Sequence, residues 1–356
     1  MPYGERWRVH RRVYMQLLNA QAAGMYRRVQ DMRSRQLVVE MLSTDDFSAS
    51  VYRYTSDVMA ELVYGQRENN KIQSQLDQIN ERAMFILKNA AFHTTILDLF
   101  PALDYLPAKR FMLWRTQAAH LHEQTKEVYV ECAATALESP VWNWTKEVRH
   151  DHHARFELEK ISWEEVCYSI GELYVAGIHT TKMVLENFIT ACVAYPQTAD
   201  KAQKELDSVV GSSRLPRFED RERLPYLNAF LMELMRWKPI SPIGVPHALV
   251  HDDEYMGFNL PRNATVIANQ WGFNMDQEVF VSPEEFNPER YAEHGSDTGE
   301  RLPGFGFGRR ACPGYHLASQ SLFIVIARML WAFSIDSFTP RISNIEVLIR
   351  QPALQK

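Results

Sequence analysis

Two things are scarce in this sequence: long apolar runs and cysteine. No stretch of about 18 apolar residues occurs, the length a membrane-spanning helix needs. The opening MPYGERWRVHRR has no apolar core behind its charges, so the chain reads as neither spanning a membrane nor carrying a secretory leader. Its four cysteines, Cys132, Cys167, Cys192 and Cys312, make no C-x-x-C pair. That spacing indicates neither a disulfide framework nor a zinc site and fits a reducing compartment. The glycosylation-type triplets at Asn143 and Asn263 are then chance matches. A net charge of -5 excludes bulk electrostatic binding to nucleic acid. Internal repeats and low-complexity segments are also missing. What is there is a chain of 356 residues, 46% hydrophobic, long enough to bury a large core.

Periodicity divides the chain unequally. Through the first two thirds, apolar residues recur at helical spacing. A basic amphipathic helix covers 6–19 and continues over 20–41 after a bend. A helix over 46–64 aligns Phe47, Val51, Tyr54, Val58 and Leu62, with Gly65 placed to close it, and Ile72, Leu76 and Ile79 mark another. FPALDYLP is a loop between paired helices, and a long helical segment covers 109–137. Ser162 and Glu165 form a capping box for a helix running to the Tyr195–Pro196 stop, about 45–50 Å at 1.5 Å per residue. Shorter helices cover 198–210 and 224–238, the second ended by Pro239. Over 246–269, β-branched runs around turn signals at Asp252–Asp253, Asn259 and 261–263 read as short strands. Residues 276–304 are irregular, and 315–333 form a final apolar helix. The fold class is mainly α with a small β region, a long central helix and a coil leading to a cysteine loop.

That loop, FGFGRRACPG over 305–314, concentrates the chemistry. Glycines at 304, 306 and 308 let backbone approach something flat or bulky, and Arg309 and Arg310 offer charge to an anion. Cys312 precedes a helix, whose dipole and free N–H groups favour a thiolate. Three readings fit these residues: a buried structural cysteine, a phosphate-cradling glycine loop, or a soft sulfur ligand for iron. Against the second, there is no GxxxxGK[ST], and the glycines precede the helix by several residues.

The spacing of Phe305, Gly308, Arg310, Cys312 and Gly314 is F-x-x-G-x-R-x-C-x-G, and it closely resembles the haem-binding signature of the cytochrome P450 family. The resemblance implies haem b (iron protoporphyrin IX), with Cys312 as axial thiolate ligand pushing electron density onto iron. It further implies Arg310 on a haem propionate, Phe305 shielding the sulfur, and Gly308 and Gly314 passing close to the porphyrin. Three more motifs agree with it. Glu233 and Arg236, on one helix face, with Arg290 of FNPERY, resemble the family's buried charge network, which holds the coil before the cysteine. YVAGIHTTKM resembles the oxygen-activation motif through Ala176, Gly177, Thr180 and Thr181; packing alone explains the first two but not adjacent threonines in a helix. Thr180 is then the alcohol that orders a proton-relay water. His179 stands where the family has an acid, and a histidine relays protons near neutral pH. Trp7 and Arg11 resemble the W-x-x-x-R pair on a propionate, and His247 takes a further propionate position.

The resemblance runs from residue 3 to about 335 and implies a single domain over 1–356. The family's anchor, first helices and part of its β-sheet would precede the first motif, so the strands over 246–269 are expected to expose an edge. The tail after Phe333 shows no clear hairpin. The implied activity is a monooxygenase of fungal secondary metabolism or xenobiotic breakdown, inserting one atom of O2 into a lipophilic substrate. Electrons would come from an NADPH-dependent flavoprotein reductase or cytochrome b5, docked near Arg6, Arg8, Arg12 and Arg309. The family resides at the cytosolic face of the endoplasmic reticulum membrane. Two alternatives are a haem-thiolate isomerase or dehydratase acting on peroxides, supported by His179, and a non-catalytic haem-binding fragment. His150, His152 and His153 read as surface residues, His316 as packing, and the remaining cysteines as small core residues.

Overall fold

The computed structural model describes residues 1–44, 46–66, 77–78, 81, 113–151, 161–292, 303–337 and 347–350. In chain order the elements are α1 (Glu5–Leu18), α2 (Ala20–Met25), α3 (Arg27–Glu40), α4 (Phe47–Tyr64), α5 (Leu113–Glu138), α6 (Trp144–Asp151), α7 (Trp163–Ala194), α8 (Pro196–Val209) and α9 (Pro225–Trp237). Strands β1 (His247–Ala248), β2 (Asp253–Tyr255), β3 (Phe258–Leu260) and β4 (Thr265–Val266) follow. The order then runs α10 (Gln270–Asn274), α11 (Glu289–Ala292), α12 (Tyr315–Ala332), β5 (Ser334–Ser337) and β6 (Val347–Arg350). The expected helix around Ile72–Ile79, the FPALDYLP loop, His152 and His153 lie outside the described residues, apart from 77–78, which are helical.

Local chemistry sets the helix ends. Asn19 is extended and caps α2 by accepting from the Ala22 N–H at 3.0 Å, while its amide donates back to the Met15 carbonyl of α1. The predicted bend is therefore a cap shared by two helices. Gly65 closes α4 at φ 67, and a Cβ there would stand 2.7 Å from the Asn143 side chain, so only glycine fits. Ser162 Oγ accepts from the Glu165 N–H at 3.2 Å at the start of α7, and Pro196 opens α8 immediately after α7 ends.

The chain forms two compact units, Ser56–Ile178 and the remainder, Met1–Thr55 with His179–Lys356. In the first, Tyr129, Trp144 and Tyr174 are fully buried, and the Thr145 hydroxyl ties α6 to the Val63 carbonyl at 2.8 Å. The second is built on α12, almost wholly buried. Gln30 of α3 donates to the Leu317 carbonyl at 2.9 Å and to Ser321 Oγ at 2.8 Å. Arg328, a charge inside that apolar helix, has no exposed surface and binds α3 through Asp31 and Ser34.

Asp220 anchors the 3-10 turn Phe218–Arg223 in the second unit. Arg214 grips its carboxylate with two bonds of 2.7 Å, and the Arg217 N–H adds a third at 2.8 Å. Chiefly through Arg214, its pKa falls from 3.8 to about 2. A depressed carboxylate stabilises the fold above its unfolded pKa and loses that contribution as pH falls through the folded value. Asp220→Asn is expected to cost about 2 kcal/mol at pH 7, shrinking to about half at pH 3, by urea melts of both proteins.

The β region departs from the sequence reading in two places. Asp253 and Asn259, taken as turn residues, lie inside β2 and β3, which pair antiparallel with Tyr255 opposite Phe258. The turn is Met256–Gly257, both at positive φ (51 and 82), the geometry of a tight hairpin; the strands are exposed on both faces, so no polarity pattern marks them. The tail also differs: β5 and β6 pair antiparallel, Ser334 opposite Arg350 through Ser337 opposite Val347. The continuous run Val347–Ile349 lacks the alternation that signals a strand. The ladders β1–β4 and β2–β3 are each two-stranded, and Tyr255, Met256 and Phe258 are at least 67% exposed. Among the described residues no further strand pairs with these ladders.

Candidate functional site

The coil that approaches the cysteine is held from beneath by α9. Glu233 and Arg236, one turn apart, form a two-point pair with both bonds at 2.7 Å, and their side chains are 0% and 1% exposed. Arg236 then donates to the carbonyls of Asn274 (2.7 Å), Pro283 (2.8 Å) and Glu285 (3.1 Å). Glu233 accepts from the Asn287 N–H at 2.8 Å and from Arg290 at 3.3 Å. Arg290 reaches back to the Ser282 carbonyl at 2.6 Å and also to that of Val281. The three predicted network residues are thus brought together. Asn274, which the sequence reading missed, completes the arrangement by donating to the Arg236 carbonyl at 2.6 Å. Phe286 wedges the same coil among Phe230, Trp237 and Tyr195.

In the cysteine loop the Cys312 N–H donates to the Phe305 carbonyl at 2.8 Å, closing the loop on itself. Gly304, Gly306 and Gly308 all take positive φ (83, 70 and 55), which requires glycine. The Phe305 ring packs edge-on to Tyr315 at 5.1 Å. Cys312 is accessible while Cys132, Cys167 and Cys192 are buried. Protein nevertheless crowds Cys312, and burial raises its thiol pKa against the pull of the Gly314 N–H and Arg11. The expected thiolate is therefore not secured by the helix start, because desolvation outweighs it. Burial pushes the pKa of Cys132 and Cys167 up to about 12 and raises that of Cys192, in keeping with inert core positions.

Helix α1 closes one side of this loop. Arg310 lies over the Trp7 ring at 4.7 Å and donates to the Met1 carbonyl at 3.0 Å. Tyr3 stacks beside Trp7 at 4.8 Å, accepts from Arg309 at 2.9 Å and lies under both Arg8 and Arg309. Trp7, Arg11, Arg310 and Cys312 thus share one neighbourhood. Tyr3 was not among the predicted residues; its ring at a position with no motif gave no signal. His247 stands exposed in β1, opposite Val266.

On α7 the motif residues separate by helical phase. Thr181 is buried, whereas Ala176 and Thr180 are accessible. A Cβ on Gly177 would stand 2.5 Å from the Met59 sulfur, so this glycine marks a close approach to a core side chain. His179 Nε2 is buried and has no hydrogen-bond partner among the described residues. The Tyr52 ring lies 6.4 Å away. Burial, then nearby Lys182, holds the imidazole below the ordinary histidine range, so it is neutral at pH 7. Lys182 is paired with Glu186, which accepts from Ser48 Oγ at 2.6 Å.

The family pattern Cytochrome P450 matches residues 1–353. The chain is 42% identical over 339 residues to cytochrome P450 monooxygenase aneD of Aspergillus aculeatus, covering 94% of this chain and 64% of that one. It is 40% identical over 335 residues to cytochrome P450 monooxygenase drtD of Aspergillus calidoustus, covering 94% and 62%. It therefore spans a little under two thirds of the length of these relatives. A zebra fish cytochrome P450 solved with progesterone superposes with a TM-score of 0.78 at 23% identity, over 98% of this chain and 81% of that one. Another, solved with abiraterone, gives 0.73 at 25% identity. Among the described residues no helix is long and apolar enough to cross a membrane.

Proposed function

The chain belongs to the cytochrome P450 family, and we propose that it acts as a haem-thiolate monooxygenase, inserting one atom of O2 into a lipophilic organic substrate. The observation that carries this reading is the cysteine loop. It combines an accessible sulfur, three glycines at positive φ, and Trp7, Arg11 and Arg310 gathered beside it. These donors fit a flat, dianionic, iron-bearing group. Cys312 would hold the iron through its sulfur, and the metal's charge would favour the thiolate against burial. Trp7, Arg11, Arg310 and His247 would hold the propionates. Haem b, when bound, supplies the activation of dioxygen.

The remaining work falls to α7. The accessible Thr180 hydroxyl holds a water or a proton at Oγ1, and His179 stands one residue before it as a neutral base with an uncommitted Nε2. Thr180→Ala is expected to divert reducing equivalents from product to hydrogen peroxide by roughly tenfold or more. Product and peroxide measured against NADPH consumed would check this, and unchanged coupling would remove Thr180 from the mechanism. Electrons would enter from an NADPH-dependent flavoprotein reductase, or from cytochrome b5, on the basic face of Arg6, Arg8, Arg12 and Arg309. Arg8 and Arg309 converge there on Tyr3. Charge reversal at these arginines should slow reduction, and unchanged rates would refute that docking. The family's membrane association, at the cytosolic face of the endoplasmic reticulum, is part of the same proposal.

The whole reading is tested with reductase, NADPH and isotopically labelled O2 on a set of alkylnaphthalenes. Label in the product supports monooxygenation. Turnover with added peroxide alone, and none with O2 and reductase, would replace it with the isomerase or dehydratase chemistry.

A further inference from the structure

Four arginines meet at the cysteine loop: Arg8 and Arg11 of α1, and Arg309 and Arg310 of the 3-10 turn Gly308–Arg310. Among the described residues no carboxylate pairs with Arg8, Arg309 or Arg310. Like charges gathered this way repel, so something other than an ion pair must hold them. The loop cannot do it alone, because Gly304, Gly306 and Gly308 supply no side chains.

The group between them is Tyr3. Its ring lies under Arg8 at 5.5 Å and under Arg309 at 5.4 Å, and its oxygen accepts from Arg309 Nη1 at 2.9 Å. Arg309 is thus held by a ring face and a charged hydrogen bond together. Arg310 takes the neighbouring ring, lying over Trp7 at 4.7 Å and donating to the Met1 carbonyl at 3.0 Å. Three residues per turn set adjacent side chains of the 3-10 turn about a third of a turn apart, so the two arginines leave the loop in different directions. Tyr3 and Trp7, with ring centroids 4.8 Å apart, receive one each. On α1, Trp7 and Arg11 share a face one turn apart, and Arg310 joins them. Arg8 and Arg309 are gathered separately on Tyr3. A tyrosine kept only to cover Trp7 would need its ring alone; this one also spends its oxygen on Arg309.

We propose that Tyr3 is a positioning residue for the cofactor: by holding Arg309 it leaves the Trp7 ring to Arg310, and so fixes the arginine assigned to a haem propionate. The proposal rests on the haem part of the proposed function, and Tyr3 acts through Arg310 rather than on the cofactor itself.

The test measures haem release from the full ferric chain to excess apomyoglobin, together with the midpoint potential. Tyr3→Leu is expected to release haem roughly tenfold faster and to lower the potential, since less positive charge is fixed near the iron. Tyr3→Phe keeps the ring and loses only the acceptor, so it should release haem about threefold faster. In an Arg310→Gln background, Tyr3→Leu should add roughly twofold or less. Unchanged release and potential in Tyr3→Leu, a phenylalanine no better than leucine, or the full effect persisting beside Arg310→Gln would overturn the proposal. Phenylglyoxal labelling of Arg309, read by mass spectrometry with or without haem, should be faster in Tyr3→Leu than in wild type; equal labelling would also overturn it. Labelled-O2 turnover of the same proteins separates the two proposals. Product from a protein whose haem is indifferent to Tyr3 sinks only the positioning role, and Tyr3-dependent haem without product sinks only the monooxygenase reading.

Discussion

Replacing Arg236 with methionine is expected to lower stability by about 3 kcal/mol, because it leaves the fully buried Glu233 carboxylate with only the longer Arg290 contact at 3.3 Å and the Asn287 N–H. The loss is spread over the coil. Arg236 satisfies the carbonyls of Asn274, Pro283 and Glu285, three acceptors that a thioether cannot serve. Urea melts should show the drop, and haem retention should fall with it, since this coil leads to the cysteine. Lysine is not expected to rescue the protein, as it lacks the planar fork that grips Glu233 and the carbonyls together. A loss under 1 kcal/mol would mean that the network is dispensable. Glu233→Leu combined with Arg236→Met should cost less than the sum of the single changes, because the stranded charge is removed.

Arg328→Met is expected to have an effect of the same order for a different reason. Arg328 crosses from α12 to the Pro216 carbonyl at 3.1 Å and to α3, where it meets the Asp31 carbonyl at 2.8 Å, Ser34 Oγ at 2.6 Å and the Asp31 carboxylate. Asp31 is 34% exposed, so water re-solvates its carboxylate when the partner leaves. The cost is then dominated by buried carbonyls and a hydroxyl left unpaired. Asp31→Asn should therefore be much milder than Arg328→Met in paired melts. Equal losses would show that the ion pair, rather than the carbonyl bonds, holds the two helices.

The contrast between these two arginines explains how much the sequence made legible. Arg236 belongs to a spaced pattern with Glu233 and Arg290, and the structure joins all three. Arg328 has no local partner; its ligands lie almost 300 residues earlier and at Pro216, so nothing in its neighbourhood announces it. The helices were readable because caps and breakers are local: Asn19, Gly65, Ser162 and Pro196 each act within a turn. Strands over 246–269 were readable as a region, but their turn was not, since Met256 at positive φ contradicts its own preference. The cysteine loop was legible as a pattern. Its protonation was not, because burial is a property of the folded chain, and burial outweighs the helix start at Cys312.

The account stands most directly on Cys312. The measurement is the reduced, carbon monoxide-bound difference spectrum of the 356-residue chain, taken beside Cys312→Ala. The predicted result is the strongly red-shifted Soret band of a thiolate-ligated haem, absent from the variant. No haem in the wild type, an unshifted band, or a shifted band that survives in Cys312→Ala would contradict it.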